Sequence, residues 1–161
     1  MDYLWTPWRY QYVTTAGGPG ECVFCAAAQA KDDREVLVVH RGTGNFVILN
    51  RFPYTSGHVM VIPYRHVATL EDLDDATLTE LMVIARRTEK HLRTVYRPEG
   101  LNIGMNIGRA AGAGIAGHLH LHMLPRWLGD TNFMTVVGET RVVPEDLLIT
   151  WERLRSAFLE G

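Results

Sequence analysis

Three histidines alternate with apolar residues in the segment GHLHLHMLPRW, at His118, His120 and His122. In an extended strand successive side chains point to opposite faces, so the three imidazoles share one face at intervals of about 6.6 Å while the apolar side chains enter the core. An imidazole titrates near neutral pH and can serve as a nucleophile, an acid, a base or a metal ligand. The pattern therefore predicts a strand whose histidines take part in catalysis or in ligand binding.

Three interpretations of this strand are open. It can be a polar strand face that happens to be rich in histidine. It can hold a catalytic metal through His118 and His120, although no Asp or Glu in the strand supplies a water-activating acid. It can also act by covalent catalysis, in which a neutral imidazole attacks phosphorus while its neighbours orient it and bind charge. The preceding loop AAGAGIAG favours the third, because small residues let backbone N–H groups surround a phosphate, although alone it also fits a tight connection.

The only cysteines of the chain are Cys22 and Cys25, in CVFC. A secreted disulfide scaffold of this size would carry more cysteines. Two thiolates at this spacing can both reach a tetrahedral ion, which then needs two more ligands. A thioredoxin-like redox pair would begin a helix within a βαβ pattern, which the flanking sequence does not offer. Half of a metal site and a pair of buried thiols without metal both remain open.

The positions of apolar residues and turn signals predict an α+β fold, with an antiparallel sheet of about five strands, one long helix and one C-terminal helix. Thr77 and Glu80 are candidates for a capping box in the long helix. We expect an N-terminal arm at residues 1–20 and a single domain at 21–161, because AGGPG separates the two. The predicted strands lie at 36–39, 45–49, 58–63, from 101, at 118–124 and near 133–137, and the helices at 74–96 and 144–158.

The composition excludes several classes of protein. The chain has 161 residues, of which 47% are hydrophobic and 21% charged, and a formal net charge of -2. These values are typical of one globular domain and exclude disordered, collagen-like and coiled-coil chains. No basic field is present to hold a nucleic acid, so we expect a small nucleotide instead. No apolar run approaches the roughly 20 residues that cross a bilayer, and MDYLWTPWRYQY lacks the order of a secretory signal, so we expect a cytoplasmic protein without a membrane segment.

The sequence resembles the histidine triad superfamily, whose signature His-φ-His-φ-His followed by two apolar residues is matched by His118-Leu-His120-Leu-His122-Met-Leu. The segments NRFPYTSGHVMVIPYRH, GMNIGRAAGAGIAGH and PRWLGDTNFM are similar to the diadenosine tetraphosphate phosphorylase branch. The resemblance implies a nucleotide hydrolase or transferase in which His120 attacks the α-phosphorus and forms a nucleotidyl-histidine. It also implies that the carbonyl of His118 sets the tautomer of His120 and that His122 contacts the phosphate or leaving group. His58 matches an additional upstream histidine of the family.

The resemblance implies further nucleotide contacts. Asn50 matches the ribose contact and Asn106 the residue on the phosphate side, although an Asn is also common at a turn or strand end. Trp127 matches an aromatic residue near the second base, where stacking would be the physical reason, and a core tryptophan is the competing interpretation. Many relatives carry Gln-Ser or Gln-Thr in the loop before the first histidine. This chain has only small and apolar residues there, so we expect backbone contacts from Gly112, Gly114 and Ile115.

In the zinc-bearing relatives the CxxC pair is completed by two histidines, which match His66 and His118 here. The resemblance thus implies a closed, structural zinc site of Cys22, Cys25, His66 and His118. It also allows Mg²⁺ to accompany a polyphosphate substrate, and it implies a homodimer. Two rival functions stay open: a nucleotide-binding regulatory or scaffold protein with little turnover, and a metal-dependent hydrolase.

Overall fold

The computed structural model of the chain describes residues 22–130 and 145–161. Within these ranges three α-helices and five strands occur, together with single 3-10 turns at Leu70–Asp72 and Arg109–Ala111. In chain order the elements are α1 (Val23–Gln29), β1 (Val38–Arg41), β2 (Asn45–Leu49), β3 (Val59–Pro63), α2 (Asp75–Tyr96), β4 (Gly100–Met105), β5 (Leu121–Arg126) and α3 (Leu147–Glu160).

The strands form one sheet in the order β1-β2-β3-β5-β4, and every neighbouring pair is antiparallel. This confirms the α+β prediction with a long helix and a C-terminal helix. Strands β2 and β3 are buried along their whole length, so both faces of the sheet centre are covered. Strand β4, at one end of the sheet, is half-buried to exposed along its length. The best-buried part of the sheet is therefore next to the histidine segment on β5.

The histidine strand begins later than the sequence pattern predicts. Regular pairing starts at Leu121, so of the three histidines only His122 lies within β5. Before it, the backbone N–H of Leu119 donates to the carbonyl of Val67 at 2.6 Å, outside the sheet. Leu119, Leu121 and Met123 are buried as predicted, but His118 and His120 are buried too, so the side of this segment that carries these two histidines is covered as well.

Helix α2 is capped by a residue other than the predicted one. The side chain of Asp74 accepts the backbone N–H of Thr77 at 2.9 Å, so Asp74 is the N-cap and the capping box at Thr77 is wrong. Glu80 instead reaches the turn between β1 and β2, where its carboxylate accepts the backbone N–H groups of Thr43 and Gly44, each at 2.7 Å. The carboxylate thereby fixes the β1-β2 hairpin to α2.

Some predictions fall outside the described residues. These are the N-terminal arm at 1–20 and the strand near 133–137, and the domain boundary at residue 20 stays a prediction. Within the described ranges, no helix combines the length and the apolar character needed to span a bilayer.

Candidate active site

Burial favours the neutral imidazole of His120, and a backbone carbonyl fixes its tautomer. Its Nδ1 lies 2.7 Å from the carbonyl oxygen of His118. A carbonyl only accepts, so Nδ1 carries the proton and Nε2 keeps its lone pair. Burial lowers the pKa of His120 below its ordinary value of 6.5, against an opposing effect of the His118 carbonyl. His120 is 5% exposed. A neutral imidazole with a defined lone pair is what a nitrogen nucleophile requires.

His58 and His122 form a directed pair beside it. The backbone N–H of Tyr54 donates to Nδ1 of His58 at 3.2 Å, so neutral His58 carries its proton on Nε2. That Nε2 lies 2.9 Å from Nδ1 of His122, which accepts the hydrogen bond, whereas its contact with the amide nitrogen of Asn50 is longer, at 3.4 Å, and joins two donors. The remaining ring proton of His122 is then on its Nε2. The ring centroids of His120 and His122 are 4.8 Å apart, so a hydrogen-bond donor lies next to the imidazole of His120.

His118 faces a cluster of sulfur and nitrogen atoms. Its Nε2 lies 2.9 Å from the carbonyl oxygen of Pro63, which leaves Nδ1 without a proton. Burial, chiefly, lowers the pKa of His118, which favours the neutral form that binds metals. Its Nδ1 is 3.4 Å from Sγ of Cys22 and 3.6 Å from Sγ of Cys25, and Nδ1 of His66 is 3.3 Å from Sγ of Cys25.

These four side chains fit a tetrahedral ion. One potential ligand atom from each lies within 4.8 Å of the other three. Zinc bonds of about 2.3 Å to sulfur and 2.0 Å to nitrogen place neighbouring ligands about 3.5 Å apart, close to the separations found between the sulfur and nitrogen atoms. His120 is not part of this cluster. Because Nδ1 of His118 faces the two Sγ atoms while His120 contributes no ligand atom beside it, the interpretation of His118 and His120 as a catalytic metal pair is disfavoured.

An apolar cavity of about 480 Å³ is linked to the histidines through Phe24, which lines it and whose ring contacts those of His118 and His120. Its volume lies within the range of small-molecule sites, and its polar groups are few. Asn50 lies in its wall, and the Oδ1 of Asn50 accepts the backbone N–H of Phe52 at 2.9 Å. The apolar lining residues are Val23, Phe24, Ala26, Ala27, Val36, Leu37, Ile48, Leu49, Phe52, Met60 and Ile115. The cavity can hold a flat, largely apolar group such as a nucleobase.

The remaining predicted contacts lie around this centre. Ile115 lines the cavity and Asn106 is exposed after β4. Gly114 is exposed in the loop, whereas the N–H of Gly112 donates to the carbonyl of Arg109 at 3.0 Å inside a turn. Trp127 follows β5, is half-buried and does not line the cavity. Its backbone N–H donates to the carboxylate of Asp130. The nucleotide contacts of all five stay predictions.

The sequence interpretation missed two groups. The backbone N–H of Tyr54 sets the tautomer of His58, and the ring of Tyr54 lies 5.0 Å from that of His58. The ring of Phe24 contacts both His118 and His120. Its position between the two cysteines of CVFC was a signal for the second group. A contact made by a backbone N–H leaves no trace in residue type.

Comparisons with known proteins agree with this geometry. Residues 33–127 match the HIT domain family. The AP-4-A phosphorylase of Mycobacterium tuberculosis is 42% identical, over 90% of this chain and 78% of that protein. The asymmetrical bis(5'-nucleosyl)-tetraphosphatase of Schizosaccharomyces pombe is 34% identical, over 77% of this chain and 64% of that protein. Among solved structures, a zinc-bound histidine triad family protein from Mycobacterium smegmatis superposes with a TM-score of 0.70 at 30% identity, over 87% of this chain and 94% of that one.

Proposed function

The chain belongs to the HIT domain family, and on that premise we propose that it is an enzyme that transfers a nucleotidyl group from a dinucleoside polyphosphate such as diadenosine tetraphosphate. The observation that carries the proposal is the 2.7 Å contact between Nδ1 of His120 and the carbonyl of His118, which leaves Nε2 of a buried, neutral imidazole as the nucleophile. Two relatives bear the names of a phosphorylase and a tetraphosphatase of such nucleotides.

In the first step Nε2 of His120 attacks the α-phosphorus of a nucleotide whose base occupies the apolar cavity. The P–N bond forms as the bond from phosphorus to the bridging oxygen breaks, and the polyphosphate leaves as an anion. The Nε2–H of His122 donates to that oxygen and stabilises its charge. The positive imidazole of nucleotidyl-His120 is stabilised by the His118 carbonyl, which continues to accept from Nδ1.

In the second step water or inorganic phosphate attacks the same phosphorus and the P–N bond breaks. A phosphate oxygen needs no proton transfer to attack and yields a nucleoside diphosphate, whereas water loses its proton to solvent and yields a monophosphate. We assign the ribose contact to Asn50 and the phosphate side to Asn106, Gly112 and Gly114. Ile115 packs on the base, and Trp127 stacks on the second base.

We further propose that the cluster of Cys22, Cys25, His66 and His118 binds a structural zinc ion. All four positions are taken by protein ligands, and a closed set of this kind is typical of structural sites. The neutral His118, held by the carbonyl of Pro63, already has the tautomer that a metal ligand needs. Mg²⁺ stays a prediction that concerns the polyphosphate rather than a residue of the chain.

The oligomeric state proposed from the family resemblance is a homodimer. Among the described residues β4 pairs only with β5, and its outer edge is exposed. Ile103 and Ile107, at and after this edge, are 46% and 41% exposed. Pairing with a second copy would cover both the edge and these apolar side chains. Light scattering should give twice the chain mass of 18.2 kDa, and Ile103→Lys should shift the mass towards one chain. The cytoplasmic location also stays a prediction.

The experiment that tests the proposed function is incubation with diadenosine tetraphosphate, with and without inorganic phosphate, beside the variant His120→Asn. ADP formed only with phosphate establishes a phosphorylase, and AMP formed without phosphate establishes a hydrolase. The variant should bind nucleotide and form neither product. Turnover by His120→Asn equal to that of the wild type would remove the nucleophile from the mechanism, and the absence of product from the wild type would favour a nucleotide-binding protein.

A further inference from the structure

Helix α1 places one aromatic ring against the nucleophile. Phe24 lies between the two cysteines of CVFC and is 5% exposed. Its ring centroid is 5.2 Å from that of His120 and 5.5 Å from that of His118, the latter edge to face. The same side chain lines the apolar cavity. Phe24 thus contacts His120, the proposed nucleophile, and His118, a member of the cysteine–histidine cluster, and it lines the apolar cavity.

The position of this ring depends on how α1 is held. At its beginning, the Sγ atoms of Cys22 and Cys25 lie beside Nδ1 of His118. At its end, the guanidinium of Arg41 donates to three carbonyls, those of Ala27 at 3.0 Å, Ala28 at 2.7 Å and Ala30 at 3.1 Å. A seven-residue helix is too short to be stable alone, so these two anchors decide where it lies.

A single hydrogen bond does not fix an imidazole. The bond from Nδ1 of His120 to the His118 carbonyl sets the tautomer, but rotation about the Cα–Cβ and Cβ–Cγ bonds of the side chain would break it and swing Nε2 away from the phosphorus. Rotation is blocked by what packs on the ring, and the described ring neighbours are Phe24 at 5.2 Å and His122 at 4.8 Å. Nucleophilic attack is sensitive to such orientation.

We infer that Phe24 is a positioning residue for His120, and that an occupied metal cluster acts on the nucleophile through the ring of Phe24. The inference rests on the proposed function, because it takes His120 as the attacking group. The alternative route runs through His118, which is both a member of the cluster and the source of the carbonyl. The two routes predict different results when Phe24 is changed.

The experiment compares Phe24→Leu with Phe46→Leu, each with zinc bound and after removal of zinc by a chelator. Phe46, the second residue of β2, is a matched control, because it is fully buried and its ring stacks on that of Tyr64 at 5.2 Å. Two readouts are needed. Nitrogen NMR of histidine-labelled protein without nucleotide reports the tautomer and ring order of His120, and single-turnover kinetics report the rate of nucleotidyl-histidine formation at saturating diadenosine tetraphosphate.

We expect zinc-loaded Phe24→Leu to lose the single Nδ1–H signal of His120 and to react about tenfold more slowly or worse. Removal of zinc from the wild type should have the same two effects, and removal of zinc from Phe24→Leu should add little. Phe46→Leu should resemble the wild type at the same zinc occupancy. Phe24→Tyr, which keeps the ring and can direct its hydroxyl into the cavity, should recover most of the rate. Thermal unfolding identifies a variant that does not fold, in which case Phe24→Met takes the place of Phe24→Leu.

The inference is overturned if zinc-loaded Phe24→Leu keeps the His120 signal and a rate within about twofold of the wild type. It is equally overturned if the effects of Phe24→Leu and of zinc removal multiply, because the metal then acts through His118. These outcomes differ from failure of the proposed function. In that case His120→Asn retains turnover, whatever the NMR signal of Phe24→Leu.

Discussion

Arg41 offers a sharp test of how α1 is anchored, through the change Arg41→Lys. The arginine donates to the carbonyls of Ala27, Ala28 and Ala30 and pairs with Asp33 at 2.8 Å. A lysine keeps the charge, but its single ammonium group cannot contact three carbonyls at once as the planar guanidinium does. About two of the three hydrogen bonds are therefore lost. A hydrogen bond to a charged donor contributes about 1.5 kcal/mol.

The expected loss in the free energy of unfolding follows from these contacts. Two bonds sum to about 3 kcal/mol, and partial replacement by water reduces this to about 2 kcal/mol, because the side chain of Arg41 is 27% exposed. Urea unfolding of the protein at a fixed concentration of free zinc measures the loss as a shift in midpoint at constant slope. Zinc affinity, measured by competition with a chelator, should fall in the same variant, because two residues of the proposed zinc site lie at α1, Cys22 as its N-cap and Cys25 within it.

The matched control is Arg93→Lys. Arg93 pairs with Glu89 one turn away on α2 at 2.8 Å, and its side chain is 53% exposed. Exposed pairs of this kind contribute about 0.5 kcal/mol or less, so Arg93→Lys should leave stability nearly unchanged. If Arg41→Lys shifts stability no more than Arg93→Lys does, the three carbonyl contacts do not anchor α1 and the reasoning fails.

Three further changes have defined outcomes. Burial is the largest of the causes that lower the pKa values of His40 and His91, so the unfolded chain binds more protons than the folded chain as the pH falls below 6.5. The free energy of unfolding should therefore be highest above pH 6.5 and decrease as the pH falls through it. Substitution of both histidines by glutamine should reduce this dependence of stability on pH in acid denaturation. Gly57→Ala should cost about 2 kcal/mol in urea unfolding, because φ is +76° and the new Cβ would lie 2.9 Å from the ring of Tyr96, and a variant as stable as the wild type would contradict this. His122→Gln should lower kcat about 100-fold while KM changes little, and a purely KM effect would mean that His122 binds substrate without helping the leaving group.

Strands and helices that are marked by a local periodicity of apolar residues could be predicted from the sequence. Strand β2 was predicted to the residue at 45–49, because a β-branched run lies between turn residues, and α2 was predicted within one residue at its beginning. The cluster of Cys22, Cys25, His66 and His118 was assembled from resemblance alone, and the fold brings its ligand atoms within 4.8 Å of one another. These side chains meet because Cys22 and Cys25 lie at the beginning of α1, His66 follows β3 and His118 precedes β5.

The errors arise where a side chain or a backbone N–H forms a hydrogen bond with a backbone group far away in the sequence. Glu80 was assigned to a local cap, but its carboxylate accepts from the β1-β2 turn, 36 residues away at Gly44. The start of β5 was placed too early, because alternation continues through His118 although the N–H of Leu119 leaves the ladder for Val67. Neither partner can be recognised from neighbours in sequence, since the choice depends on which surfaces the fold brings together.

The four histidines of the candidate active site differ in which group determines the ring nitrogen that carries the proton. Main-chain groups decide three of them: the carbonyl of Pro63 for His118, the carbonyl of His118 for His120 and the N–H of Tyr54 for His58. Substitution of another side chain leaves such partners in place, so the proposed nucleophile His120 and the proposed metal ligand His118 keep their tautomers as long as the backbone keeps its path and the packing on each ring is retained. His122 alone takes its tautomer from a side chain, that of His58. The tautomer of His122, the proposed donor to the leaving group, can therefore be altered by substitution at His58, whereas the tautomers of His118 and His120 depend on the path of the backbone.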